Sequence, residues 1–352
     1  MKVLFFLGHP AHFHLFKNTI ADLRSGGNQV FILNKKKDVL DDLLKKSGFD
    51  FYNVMPEGRK DSRIGIATGL LKRDWRLFRF CLRHRPDIMT GTSAEISHVG
   101  KLLGIPSVCV NEDDFNVVPL FSKLGYPWAT KILAPDPCQT GKWEHKTIHY
   151  PGYHELAYLH PDHFTPDRTI VSQYIDPDRN YFIIRFAKLT AHHDRGIRGI
   201  TTDIAQNLID ILKDLGKIYI TSERELEPQF EPYRISIKPE HMHDVMALAA
   251  LYIGDSQTMA AEAGVLGVPF VRFNDFVGRI GYLNELELKY KLGFGFTPDQ
   301  VDEMLSKVRE LASGKNIKTE WTEKRTLMLS EKINVAQFLT SFLENYPDGL
   351  KS

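Results

Sequence analysis

The sequence predicts an α/β protein built from two doubly wound, Rossmann-like parallel-sheet domains. Three observations predict it. Short β-rich runs alternate with longer stretches of helical period, the pattern of parallel sheets covered by helices. A chain of 352 residues is long for one hydrophobic core and right for two. The alternation breaks near the middle, where Tyr150 to Asp167 carries Pro151, Gly152, Pro161 and Pro166, so the connection between the domains is placed at 151–167.

In the first domain, 1–150, the strand-like runs are Lys2–Leu7, Gln29–Leu33, Phe51–Val54, Asp87–Thr90, Ser107–Val110 and Lys131–Leu133. Helical period fills His14–Arg24, Asp38–Lys46, Leu70–Arg83 and Ala94–Leu103, the last closed by Gly104 and Pro106. The second domain, 168–329, restarts with strand Tyr181–Arg185, a helix over Ile200–Leu215, strand Lys217–Thr221, an edge strand at Tyr233–Ile237 and a helix near His241–Ala250. A strand, turn, helix and strand follow over Leu251–Phe270, then a helix over Asp299–Ala312. Within 330–352, Ser330–Asn345 is amphipathic and able to pack back on the first domain. Ligands of open α/β sheets sit beyond the carboxyl ends of the strands, so the cleft faced by two such domains is the expected site.

Composition narrows the function classes. Hydrophobic content of 43% and charged content of 25% are those of a soluble globular protein, and a net charge of +1 gives no reason to expect nucleic acid. Cys81, Cys109 and Cys138 are widely spaced and form no CxxC pair, which speaks against a disulfide framework or structural zinc and for a reducing compartment. The apolar run after Lys2, Val3 to Leu7, is too short for a signal sequence or a membrane span, so a cytoplasmic location is expected.

The most informative segment is GDSQTMAAEAGVLGVPFVR, Gly254 to Arg272. Leu251–Ile253 is a short apolar run, Asp255–Thr258 a polar turn, and Met259–Leu266 a small-residue helix ended by Gly267 and Pro269. The first turn of such a helix offers unpaired N–H groups and a positive dipole end, to which Ser256 and Thr258 add hydroxyls. Phosphate oxygens fit there. Glu262, one turn after Thr258, is placed to accept from ribose hydroxyls; an N-capped helix with a solvated glutamate reads the same way.

GDSQTMAAEAGVLGVP resembles the nucleotide-sugar segment of glycosyltransferases of the two-domain GT-B fold and of the UDP-N-acetylglucosamine 2-epimerases that share it. The start, FFLGHPAHFHLFKNTIADLRSGGNQVFIL, and the middle, PGYHELAYLHPDHFTPD, resemble an uncharacterised bacterial and archaeal domain-of-unknown-function family in that superfamily. The resemblance implies that Asp255, Ser256, Gln257 and Thr258 lie at the diphosphate of a nucleotide-sugar, that Glu262 binds the ribose, and that IKPEHMHD brings His243 near phosphates or base. Arg185, ending a strand, is either a cation for the diphosphate or half of a surface ion pair. Metal ligation by His192, His193 and Asp194 or by His241, His243 and Asp244 is the weaker reading, and no metal or other cofactor is expected.

The loop Gly8–His14 follows a strand and precedes a helix. Its histidines are candidates for taking a proton from an acceptor hydroxyl, His12 first and His9 next; capping or packing is the alternative for each. Glu112, in the run Glu112–Asp114 after a strand, is a further catalytic candidate or part of a solvated turn. One departure bears on the chemistry: where the epimerases carry an acidic residue, this chain has Thr92, whose hydroxyl is far too weak a base to take a proton from a sugar carbon. The epimerase histidine segment is also replaced, by Arg185–Lys188. The segment Ile64–Arg85 mixes Arg and Lys with Leu, Trp and Phe, which suits either peripheral contact with an anionic membrane at the inner face of the cell or a helix burying its apolar stripe.

These readings converge on a metal-independent GT-B glycosyltransferase moving a sugar from a nucleotide donor, UDP-linked foremost, to a glycan or lipid-linked acceptor in surface polysaccharide or glycolipid assembly. A UDP-N-acetylglucosamine 2-epimerase-like isomerase is the alternative, and a non-catalytic nucleotide-binding or scaffold protein the third.

Overall fold

The computed structural model describes residues 1–35, 39–56, 63–187, 198–345 and 348, with the side chains of residues 63, 64, 66 and 67 left aside. The chain divides into two compact units: Met1–Tyr158 together with Ile333–Ser352, and Leu159–Lys332.

The first unit is a seven-stranded parallel sheet of β1 (Lys2–Leu7), β2 (Gln29–Lys35), β3 (Tyr52–Met55), β4 (Ile88–Gly91), β5 (Ser107–Val110), β6 (Lys131–Pro135) and β7 (Thr147–Tyr150). Its order is β3-β2-β1-β4-β5-β6-β7, so the winding reverses between β1 and β4. Val3 to Leu7 are fully buried, as expected of a strand covered on both faces. Leu4 and Phe6 pack with Met89, Ile96, Cys109 and Ile132, where truncating a leucine to alanine costs about 2–5 kcal/mol. β4 can approach β1 only because residue 91 is glycine: its φ is 151°, and a Cβ there would stand 2.4 Å from the Phe6 carbonyl oxygen.

Helix Pro10–Ser25 begins four residues before the expected His14. Proline suits its first position, lacking the N–H that would be orphaned there, and His9 caps it by accepting from Ala11 N–H at 3.2 Å. The last helix is Val335–Glu344, shorter than the expected Ser330–Asn345, because Ser330 and Glu331 end an unforeseen helix, Ile317–Glu331. Val335–Glu344 packs on Pro10–Ser25 within the first unit, where Thr19 Oγ1 donates to the Ala336 carbonyl and Ile333 N–H to the Pro151 carbonyl.

The second unit is a five-stranded parallel sheet of β8 (Tyr181–Phe186), β9 (Lys217–Ser222), β10 (Leu251–Gly254), β11 (Phe270–Phe273) and β12 (Gly293–Phe296). Its order is β12-β11-β10-β8-β9, with the reversal between β8 and β10. The expected edge strand Tyr233–Ile237 does not form. Pro228–Tyr233 is a 3-10 turn, Pro232 has no N–H for a ladder, and a single bridge joins Ile220 to Arg234. β12 escaped the sequence reading because GFGF reads as turn; Gly293 is required there, since a Cβ would meet the Phe270 ring at 2.3 Å. Among the described residues no helix is long and apolar enough to cross a membrane.

Candidate functional site

The carboxyl end of the second sheet carries one row of residues across all five strands. The register aligns Thr221 on β9, Arg185 on β8, Gly254 on β10, Arg272 on β11 and Gly295 on β12. Residues in register on parallel strands share a face, and Tyr252, two before Gly254, shares it too. The glycines make room for their neighbours' polar groups. A Cβ on Gly254 would stand 2.6 Å from the Tyr252 hydroxyl and 3.0 Å from Arg185 Cβ, and one on Gly295 would stand 2.7 Å from Glu287 Oε2.

Arg272 is wholly buried. Its Nε donates to Glu287 Oε1 at 2.9 Å and its Nη1 to Gln257 Oε1 at 2.7 Å. Burial raises the Glu287 pKa, which the Arg272 charge opposes. Arginine only donates, so the Gln257 atom facing it must be the carbonyl oxygen, and the amide nitrogen is fixed as an outward donor. That nitrogen has no hydrogen-bond partner among the described residues. The same holds for Tyr252 OH, Thr221 Oγ1 and Arg185 Nε, all shut off from solvent, while Arg272 Nη2 lies 2.8 Å from Glu287 Oε1 without forming a hydrogen bond. Arg185 also pairs through Nη2 with Glu223. A buried polar group left unsatisfied costs about 1–3 kcal/mol, so this row is an expensive place to leave empty.

Beside the row begins the helix Gln257–Leu266, closed by Gly267 at φ 79°. It starts two residues before the expected Met259 because Ser256 is the N-cap, accepting from Met259 N–H at 3.4 Å. Gln257 and Thr258 therefore lie in the first turn, with its unpaired N–H groups. Asp255 turns inward. Its oxygens accept from Ala187 N–H at 2.6 Å and Ile200 N–H at 3.3 Å, and burial pushes its pKa up to about 6 against those hydrogen bonds. Glu262 is buried rather than solvated, 2.9 Å from His243 Nε2, itself buried. His241 instead meets the Tyr174 hydroxyl, and Asp244 accepts from Asp167 N–H. Among the described residues no three His, Cys, Asp or Glu side chains could hold a metal ion, and His192, His193 and Asp194 lie outside them.

At the corresponding end of the first sheet several polar groups pair with one another, while Asn34 Oδ1, Tyr150 OH and His154 Nε2 are buried with no hydrogen-bond partner among the described residues. Gly8 N–H donates to His12 Nδ1 at 3.0 Å, so the neutral ring carries its proton on Nε2. That nitrogen is then a donor, the opposite polarity from the base expected of His12. His9 Nδ1 is occupied in capping. Thr92 Oγ1 donates to the Val110 carbonyl at 2.7 Å. Glu95 is buried against Arg73 and Ser93; burial opposes its ionisation, yet Arg73 above all, with Lys35, keeps its pKa low. Glu112 Oε2 accepts from His154 N–H at 3.2 Å and stands 3.4 Å from His154 Nδ1, whose ring burial holds neutral with a pKa of about 3.

Sequence reasoning missed Arg272, Tyr252, Glu287, Glu95 and His154. For Arg272 a signal existed: an arginine inside the otherwise apolar FVRF of a buried strand must have a partner.

Comparison with known proteins follows the fold. A model of the family described as "Protein of unknown function (DUF354)" matches residues 1–316. A search of curated protein sequences finds no match. Among solved structures, the Neisseria meningitidis UDP-GlcNAc 2-epimerase bound to UDP-GlcNAc is similar with a TM-score of 0.67 at 14% identity, covering 98% of this chain and 100% of that one. The S. aureus MnaA–UDP co-structure gives 0.68 at 11%, covering 100% and 98%. Glycosyltransferase SsfS6 of Streptomyces sp. SF2575, complexed with thymidine diphosphate, gives 0.62 at 13%, covering 98% and 99%. At such identities the likeness shows the fold alone, the two Rossmann-like domains of the GT-B fold. The chain belongs to the DUF354 family of proteins of unknown function.

Proposed function

We propose that this protein is a nucleotide-sugar-dependent glycosyltransferase whose second unit holds the donor diphosphate over the row from Thr221 to Arg272. One observation carries the reading: the buried donors of Arg185, Tyr252, Gln257 and Thr221, unpartnered among the described residues, lie in or beside the row through Gly254, next to the first turn of an eleven-residue capped segment, Ser256–Leu266. Phosphate oxygens would satisfy them together, and two guanidinium groups would offset the charge that develops on the leaving diphosphate without a metal ion. Glu262, oriented by His243, accepts from the ribose hydroxyls. UDP is the first nucleotide to test, because two of the similar structures hold UDP or UDP-GlcNAc.

On the first unit, Glu112 is the proton acceptor and His12 a hydrogen-bond donor through Nε2, with His9 holding the loop by its cap. The acceptor belongs to surface polysaccharide or glycolipid assembly. Epimerisation is the second reading, favoured by the likeness to the Neisseria enzyme. Thr92, spent as a donor on Val110, weighs against it, because proton abstraction from a sugar carbon needs a base.

Incubation with UDP-N-acetylglucosamine separates the readings. Release of UDP only when a glycan or lipid-linked acceptor is added supports transfer, whereas a new UDP-sugar formed without acceptor, followed by NMR, supports epimerisation. His12→Ala should leave UDP affinity unchanged and slow turnover about 10²–10⁴-fold. A His12→Ala protein with full turnover would remove His12 from the chemistry.

A further inference from the structure

Helix Arg63–His84 buries Leu77 and Cys81 in the first unit's core and turns a second apolar stripe outward. Leu71, Trp75, Phe78 and Leu82 recur within about 60° of one another around the helix. Leu71 is 68% exposed, Trp75 59% and Leu82 53%, and the Trp75 ring stacks on Phe78 at 5.7 Å. Helices Ala94–Leu103 and Pro119–Gly125 lie alongside in turn. His98 ties all three, its ring placed between Asp74 Oδ2 at 3.0 Å and the Leu124 carbonyl at 2.9 Å. These neighbours add Leu102, 72% exposed, with Leu120 and Trp128, each 49% exposed.

The charges on this face are one-sided. Arg79, Arg83, Lys101 and Lys123 are exposed, whereas the carboxylates of the three helices, Asp74 and Glu95, are held by His98 and Arg73. With a whole-chain net charge of +1, this cationic excess is local. A second copy would bring like charges together. Exposed Leu and Trp among cations match the headgroup boundary of an anionic bilayer, where apolar side chains insert and cations meet lipid phosphate.

We propose that this three-helix face docks the protein on an anionic lipid bilayer. The inference does not rest on nucleotide binding and can fail or hold independently of it. It would bring the protein to the surface where lipid-linked acceptors reside.

The test is co-sedimentation of the full chain with vesicles of phosphatidylcholine alone and of phosphatidylcholine with phosphatidylglycerol, at low and high salt, with tryptophan emission as a second readout. The expected result is binding to phosphatidylglycerol vesicles that weakens with salt, with emission shifting to the blue. Leu71→Ser with Trp75→Ser should lower partitioning on the order of tenfold or more, and Arg79→Glu with Arg83→Glu should do so chiefly at low salt. All four sites are exposed, and an unchanged Tm checks the fold. No binding of the wild-type chain to phosphatidylglycerol vesicles, or equal binding by the variants, overturns the proposal. So does a concentration-dependent dimer that Trp75→Ser abolishes in the absence of vesicle binding.

Discussion

The carboxyl ends of the two sheets share a topology and differ in which polar groups are left unsatisfied and in how these are arranged. Both sit where the strand order reverses, the position at which open α/β sheets bind ligands. In the first unit, Glu95 meets Arg73 and Ser93, Glu112 meets His154, and His12 accepts from Gly8. The groups left over there, Asn34 Oδ1, Tyr150 OH and His154 Nε2, form no single row, whereas in the second unit Arg185, Thr221, Tyr252 and Gln257 keep buried donors in or beside one row, with no partner among the described residues. Natural interiors satisfy nearly all such groups, so a cluster of unsatisfied donors in one cross-strand row is what the proposed donor site rests on. A sheet end is thus informative through what its residues lack as much as through what they are.

The largest expected effect comes from breaking the Arg272–Glu287 pair. Arg272→Met should destabilise the fold by about 3–5 kcal/mol, because it strands a buried carboxylate. Adding Glu287→Met should recover most of that loss in urea denaturation without recovering UDP affinity. If the double variant binds UDP as tightly as wild type, Arg272 is structural alone. Next comes Gln257→Glu, which keeps the acceptor for Arg272 and replaces the outward donor by an anion. UDP affinity by calorimetry should fall about 10–100-fold with little change in Tm.

Two tyrosines sharpen the comparison through opposite signs. Tyr252→Phe removes an unsatisfied hydroxyl and should stabilise the unliganded protein by about 1 kcal/mol while weakening UDP binding. Tyr126→Phe in the first unit removes a hydroxyl that accepts from Asn111 Nδ2 at 2.9 Å and should destabilise by about the same amount. Equal signs in denaturant unfolding would erase the distinction between the two sheet ends.

A further effect is a pH dependence. Asp255 has a folded pKa raised to about 6 by burial, above its ordinary 3.8, so the folded state takes up its proton first. Its contribution favours folding below pH 4 and is lost as pH rises through about 6. Asp255→Asn should remove this slope between pH 4 and 6, measured as the difference in unfolding free energy from wild type. An unchanged slope would mean that another group carries it.

Much of the fold was legible because parallel strands buried on both faces write themselves as apolar runs such as Val3–Leu7 and Leu251–Ile253. β12 was not, since its glycines serve a ring contact that only the packed structure contains. The capped helix that carries the proposed contacts of Ser256, Gln257, Thr258 and Glu262 was legible from local spacing. The row from Thr221 to Gly295 was not, because its members, Arg185 to Gly295 in sequence, lie up to 110 residues apart and meet only through strand register. Whether a neighbour satisfies a side chain is likewise a tertiary fact. His12 looked like a base until the Gly8 amide fixed its tautomer, and Arg185 could be a ligand cation or an ion pair, whereas the structure gives it Glu223 on one nitrogen and, among the described residues, no partner on Nε.

The most direct test of the central claim is a thermal-shift comparison of UDP with uridine on the wild-type protein, with and without magnesium. The account predicts that UDP raises Tm without added metal and uridine far less, because the unpartnered donors await a diphosphate; at a hundredfold excess over Kd the gain is about 2.7 kcal/mol. Equal shifts from UDP and uridine, or none from any nucleoside diphosphate, would contradict it.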